Sequence, residues 1–168
     1  MQFEIVHDFD IPLDALELAV ISPDLVVDLA RKLTNIESVQ QKEHLLEGGR
    51  LERMWSYRAN VKIPAFATRY VTPEMLAWDE KYTYDLERHA SDWLILPHGK
   101  PEWRNVFAAQ GTYALAEIGS GRTRRRVVGN VELRVSLVRT VAEKLIFGEM
   151  KKVYDAEADT LRALATLS

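Results

Sequence analysis

Four charged residues fall where an apolar pattern calls for an apolar side chain: Arg53, Glu80, Glu149 and Glu157. A lone charge taken out of water costs several kcal/mol, so each needs a partner or a polar ligand. An arginine fork suits a planar anion and could hold a ligand carboxylate or hydroxyl, bridge to a glutamate, or serve catalysis. Which residue Arg53 meets depends on the hairpin before it. A three-residue loop, Glu47 to Gly49, sets it opposite Glu43, and a two-residue loop, Gly48-Gly49, sets it opposite His44. An enzyme would need such groups to converge with matched pKa values.

Other chemistry is poorly supplied. The chain has no cysteine, which excludes disulfides, thiolate metal sites and cysteine nucleophiles. His7, His44, His89 and His98 lie far apart in sequence without metal-ligand spacing, and the last two sit in turns. Neither a metal nor a cofactor is expected. No glycine-rich nucleotide loop occurs, and Gly119-Ser120-Gly121 is too short for a nucleophile elbow and fits a hairpin turn.

Aromatic residues are better placed. Stepping along strands by two, Trp55, Tyr57, Trp78, Tyr82, Tyr84, Phe107 and Tyr113 point inward, with Arg53 and Glu80 as the intruders on those faces. Together with Val131 and with Ile146, Met150 and Val153 they could line a wide apolar pocket, the phenols orienting a ligand. Ala109, Gly111 and Gly129 leave space in mid-strand, consistent with a cavity.

The elements that carry these residues follow from periodicity. Residues 2–9 alternate as a first strand with Phe3, Ile5 and Phe9 inward. Leu13 to Val20 forms a short helix, and Ser22-Pro23-Asp24 starts a second one running to about Leu33. Strands follow over Ile36–Leu46, Arg50–Val61, Trp78–Leu86, Ser91–Leu96, Trp103–Ile118 and Arg122–Val135. The connection from Lys62 to Met75, with Ile63, Ala65, Phe66 and Tyr70, is apolar enough to pack on the domain or cover a cavity mouth. From Val138 to Leu167 the period is helical, with Ala142, Leu145, Ile146, Met150, Val153, Ala156, Leu161, Leu164 and Leu167 on one arc. Thr140 and Glu143 have capping-box spacing. Gly148 interrupts this helix and suggests a close approach or a bend.

Residues 1–168 read as one domain without repeats or linkers. A net charge of −3 argues against non-specific nucleic-acid binding, and the run Arg122 to Arg126 reads as a solvated edge. Met1 to Val6 is charged early and is no signal peptide, and no 18-residue apolar run exists, so a cytoplasmic protein without an integral membrane segment is expected.

The order strand, two short helices, about six antiparallel strands and a long C-terminal helix resembles the helix-grip fold of the START-like superfamily, which includes birch-pollen-allergen proteins and polyketide cyclases. Two stretches carry the resemblance to an uncharacterised bacterial branch: Phe9-Asp10-Ile11-Pro12-Leu13-Asp14, and Thr123 to Gly129 running on to Glu143–Glu149. The resemblance implies an α+β fold, a curved antiparallel sheet of six to seven strands wrapped around the last helix, with an apolar cavity between them. It further implies a hydrophobic small molecule, such as a lipid or fatty acid, as partner. A cyclase, aromatase or hydratase activity, or an adaptor groove for a partner protein, are the alternatives.

Overall fold

The computed structural model describes residues 1–66, 68–69, 71–134 and 139–167. Tyr70, Val135 and the expected helix start at Val138 lie outside them. The first strand, β1 (Gln2–Phe9), leads through Pro12 into α1 (Leu13–Val20) and α2 (Leu25–Ala30). Then come β2 (Ile36–Glu47), β3 (Arg50–Ala59), a 3₁₀ turn (Pro73–Leu76), β4 (Ala77–Asp85), β5 (Ala90–Pro97) and α3 (Trp103–Val106). The chain ends in β6 (Phe107–Gly119), β7 (Arg122–Leu133) and α4 (Arg139–Thr166).

All seven strands form one curved antiparallel sheet in the order β1-β7-β6-β5-β4-β3-β2, so β1 and β2 are its edges. Gly48 and Gly49, at φ 58° and 78°, make the two-residue turn between β2 and β3 and set His44 opposite Arg53. The long helix lies against β1, β7, α1 and α2. Its buried side chains are Glu143, Tyr154, Glu157, Ala158, Thr160, Leu161 and Ala165, rotated from the expected arc: Leu145 and Leu167 are 50% and 82% exposed. The rotation adds Tyr154 to Glu157 and Leu161, both already on the expected arc, and the three form one stripe at helical spacing facing the sheet.

Several boundaries differ from the sequence expectation for local reasons. The second helix ends at Ala30, not Leu33, and Asp24 rather than Ser22 precedes its first residue, the Ser22 hydroxyl accepting from the Asp24 N–H at 3.2 Å. Trp103 to Val106 is a helical turn, not strand, because Trp103 and Arg104 donate back to Lys100 and Pro101. Its indole covers Gly99 (φ 87°), where a Cβ would stand 2.2 Å from the ring. Thr140 lies inside α4 and makes no capping box; the Glu143 carboxylate instead accepts from the Leu133 N–H and from Arg139, both at 3.0 Å. Nothing approaches the Cβ position of Gly148 within 4 Å, so the close contact expected there is absent among the described residues.

The basic run is not an edge. β7 lies between β1 and β6, and only Arg122, Arg124 and Arg126 face outward, pairing with Asp10, Asp8 and Glu4 of the chain around β1 at 2.7–2.9 Å. Thr123 and Arg125, on the opposite face, are fully buried.

Candidate functional site

The space between sheet and α4 is divided across its length. One end is solid. There Phe3, Gly129, Gly111 and Trp93 are register partners across β1, β7, β6 and β5. The Trp93 indole lies over both glycines: a Cβ would come within 2.4 Å of it at Gly129 and 2.7 Å at Gly111. The room left by the glycines on the inner face is therefore filled by a tryptophan, and neither glycine lines a cavity between sheet and α4. Beside it, α1 closes the end through Leu16, Ala19 and Val20, and the Tyr84 hydroxyl donates to Glu17 at 2.7 Å.

Two arginines are embedded in this solid end. The Arg53 guanidinium sits 3.8 Å from the Trp55 ring centre and 4.1 Å from that of Tyr82, and donates to the Val20 carbonyl at 3.2 Å. It forms no ion pair among the described residues, so Arg53 bridges neither to Glu43 nor to another glutamate. Aromatic faces and one carbonyl take the place of a carboxylate. Arg125 donates to Glu157 and to the Tyr154 carbonyl, both at 2.7 Å, and to His7 Nδ1 at 3.0 Å. Because a guanidinium can only donate, His7 is the neutral tautomer with its proton on Nε2, which donates to Asp155 at 2.8 Å. Burial, and then Arg125, hold the His7 pKa below its ordinary value.

The other end is hollow. A cavity of about 350 Å³ is bounded by Tyr57, Ala59, Trp78, Glu80, Ile95, Pro97, Phe107 and Leu133 from the sheet and by Ala142, Leu145, Ile146, Glu149, Met150, Val153 and Tyr154 from α4. Residues 61–64, Val71, Met75 and Leu76 of the connection, Trp103 and Val106 of α3, and Asn35 and Ile36 complete it. On each strand the boundary falls between successive inward residues: Trp55 is below it and Tyr57 above, Tyr82 below and Glu80 above, Trp93 below and Ile95 above. Of the residues singled out in the sequence, Tyr57, Trp78, Glu80, Phe107, Ile146, Met150 and Val153 line this cavity. Arg53, Trp55, Tyr82, Tyr84, Tyr113 and Val131 do not; they are buried in the packed end, with α1, α2 and Trp93. Tyr154 and Trp103 are wall residues that the sequence reading missed. Ile146, Met150 and Tyr154 are spaced by four, which marks one helical stripe; Trp103 carried no such signal once read as strand.

The polar groups of the wall are few. Glu80 makes no hydrogen bond or ion pair among the described residues, and burial lifts its pKa to about 7, Arg53 opposing and Glu157 adding to the shift. The surface it keeps opens on the cavity. Tyr57 and Tyr154, whose hydroxyls also lack a partner there, are both pushed upward by burial and then by Glu80. Glu149, by contrast, is engaged by Asn35 Nδ2 at 2.7 Å and by Lys152 at 2.8 Å. A second hollow of about 410 Å³, between Lys81, Thr83, Asp92, Leu94, Gln110 and Thr112, lies on the outer face of the sheet and is open to solvent.

No histidine lies in the cavity wall: His7 pairs with Arg125, His89 with Glu17 at 2.8 Å and His98 with Asp79 at 2.7 Å, while His44 is the register partner of Arg53 and its Nδ1 has no hydrogen-bond partner among the described residues. Asp79 also accepts from Ser56. No group of three or more histidine, aspartate or glutamate side chains among the described residues is arranged to hold a metal ion. No described helix is long and apolar enough to cross a membrane.

The fold is the helix-grip fold. Crystal structures similar to it include TTHA0849 of Thermus thermophilus, with a TM-score of 0.64 at 18% identity, covering 99% of this chain and 98% of that one. The Zhui aromatase/cyclase of Streptomyces sp. R1128 matches with a TM-score of 0.65 at 12% identity over 99% and 93% of the two chains. Norcoclaurine synthase of Thalictrum flavum matches with a TM-score of 0.61 at 16% identity over 95% and 86%. No curated protein matches the sequence. A family described as "protein of unknown function (DUF2505)" matches residues 4–164.

Proposed function

The chain belongs to the DUF2505 family, whose description leaves its function open, and on that premise we propose that it binds a hydrophobic small molecule in the cavity between sheet and α4. The observation that carries this is the hollow end itself: about 350 Å³ walled by aliphatic and aromatic side chains, at the low end of the range for small-molecule sites. Removing apolar ligand surface from water would contribute about 25 cal/mol per Å² before ordering costs. Lys62, Ile63 and Pro64 border the cavity, so a ligand in it would touch the connection after β3.

The test is native mass spectrometry of the purified protein, followed by solvent extraction of whatever leaves it. A co-purifying lipid or polyketide-like molecule supports the proposal and names its class. Bare protein, with thermal stability unchanged across a panel of apolar compounds, removes it.

A second reading is an enzyme of the aromatase or cyclase kind. It is favoured by Glu80, whose pKa of about 7 suits proton transfer at neutral pH. A catalytic phenol would be Tyr57 or Tyr154, since Tyr82 lies outside the wall. Under this reading Glu80→Gln abolishes turnover of the extracted molecule while its binding persists.

A further inference from the structure

Resting on the cavity reading above, we infer that the ligand presents a hydrogen-bond donor, an amine or a hydroxyl, to Glu80, and not a carboxylate or phosphate. The wall supplies acceptors and almost no cation. Glu80 is a carboxylate with no hydrogen bond or ion pair among the described residues, and it faces the void between Trp78 and Tyr82 on β4. Asn35 spends its amide N–H groups on the Glu149 carboxylate (2.7 Å) and backbone carbonyl (3.2 Å), and its Oδ1 is left without a donor among the described residues.

The cation that could have received an anion is out of reach. Arg53 is one layer deeper, 2% exposed and enclosed by the Trp55 and Tyr82 rings. Lys62 is the one basic residue of the wall among the described residues, and it belongs to the connection after β3 rather than to the sheet or α4. An anionic head group at the level of Glu80 would meet a like charge in an apolar surround. A donor head group would instead give Glu80 the partner it lacks, with the Tyr57 and Tyr154 hydroxyls beside it able to accept or donate.

Decylamine, decanol and decanoate share a chain and differ only in the head group. Their affinities are measured at about pH 8 by displacement of a neutral naphthylamine dye, on the wild-type protein and on Glu80→Gln. The amine is expected to bind at least about tenfold more tightly than the carboxylate, with the alcohol between them, as a charge-assisted bond against a like-charge contact requires. In Glu80→Gln the spread should fall to within about threefold. Decanoate binding as tightly as decylamine to the wild type, or a ranking unchanged by Glu80→Gln, overturns the inference and leaves the cavity reading standing. Failure of the dye and all three chains to bind overturns both.

Discussion

Glu80 keeps a carboxyl group in a place that does not stabilise its charge. Its folded pKa of about 7 lies above that of a free glutamate, so the folded state holds this proton more tightly than the unfolded chain does. The stability associated with the neutral form is complete below about pH 4.5 and is lost as pH rises through about 7. Glu80→Gln should therefore stabilise the protein at about pH 8 by roughly 1–3 kcal/mol, seen as a rise in Tm of several degrees, with the gain shrinking toward about pH 5. His7 runs the other way. Its pKa is depressed in the fold, so its contribution is present above about pH 6.5 and is lost as pH falls through the lower folded value. Breaking the buried pair with Arg125→Met should cost about 3–5 kcal/mol in denaturant unfolding, because Glu157 is left unpaired, while adding Glu157→Leu should recover most of it. Glu80 and Arg53 were legible as intruders on alternating faces. Arg125 obeys the same rule, sharing parity with Val127 and Gly129, but four basic residues within five positions read as a solvated stretch and hid it.

At the scale of elements, periodicity located every strand and the long helix. It failed where a local hydrogen bond or a rotation of a few tens of degrees decides. The expected arc of α4 holds Glu157 and Leu161 correctly, yet the sheet also takes Tyr154 and leaves Leu145 half out, while Glu157 pairs with the buried Arg125. Glycines in the strands were read as room for a ligand, and the structure gives that room to Trp93. Gly129→Ala, forcing a Cβ to 2.4 Å from the indole, should destabilise by about 1–3 kcal/mol. Gly148 is the contrasting case. With nothing near its Cβ position, Gly148→Ala should raise stability by up to about 1 kcal/mol through helix propensity alone, read as a shift in the urea midpoint.

The molecule as a whole is half packed and half hollow, with α1, α2 and Trp93 filling one end and the connection after β3 bordering the other. Such a division separates what holds the fold from what would hold a ligand. Ile146→Trp, placed in the hollow end, should leave unfolding free energy within about 1 kcal/mol of wild type and abolish uptake of a neutral dye, whereas an equal addition in the solid end would not be tolerated. The strands followed from the alternation of inward residues and the fold class from the order of elements; the order of strands in the sheet is seen only in the structure. The level at which filling stops did not follow from either, because it depends on which side chains cross from neighbouring strands. The four tryptophans fall on either side of that level: Trp78 and Trp103 on the cavity, Trp55 and Trp93 beneath it. Their emission is thus two signals superposed. A molecule arriving in the cavity would alter the colour and lifetime of one pair and leave the other as an internal standard, so occupancy can be followed by light without attaching a label.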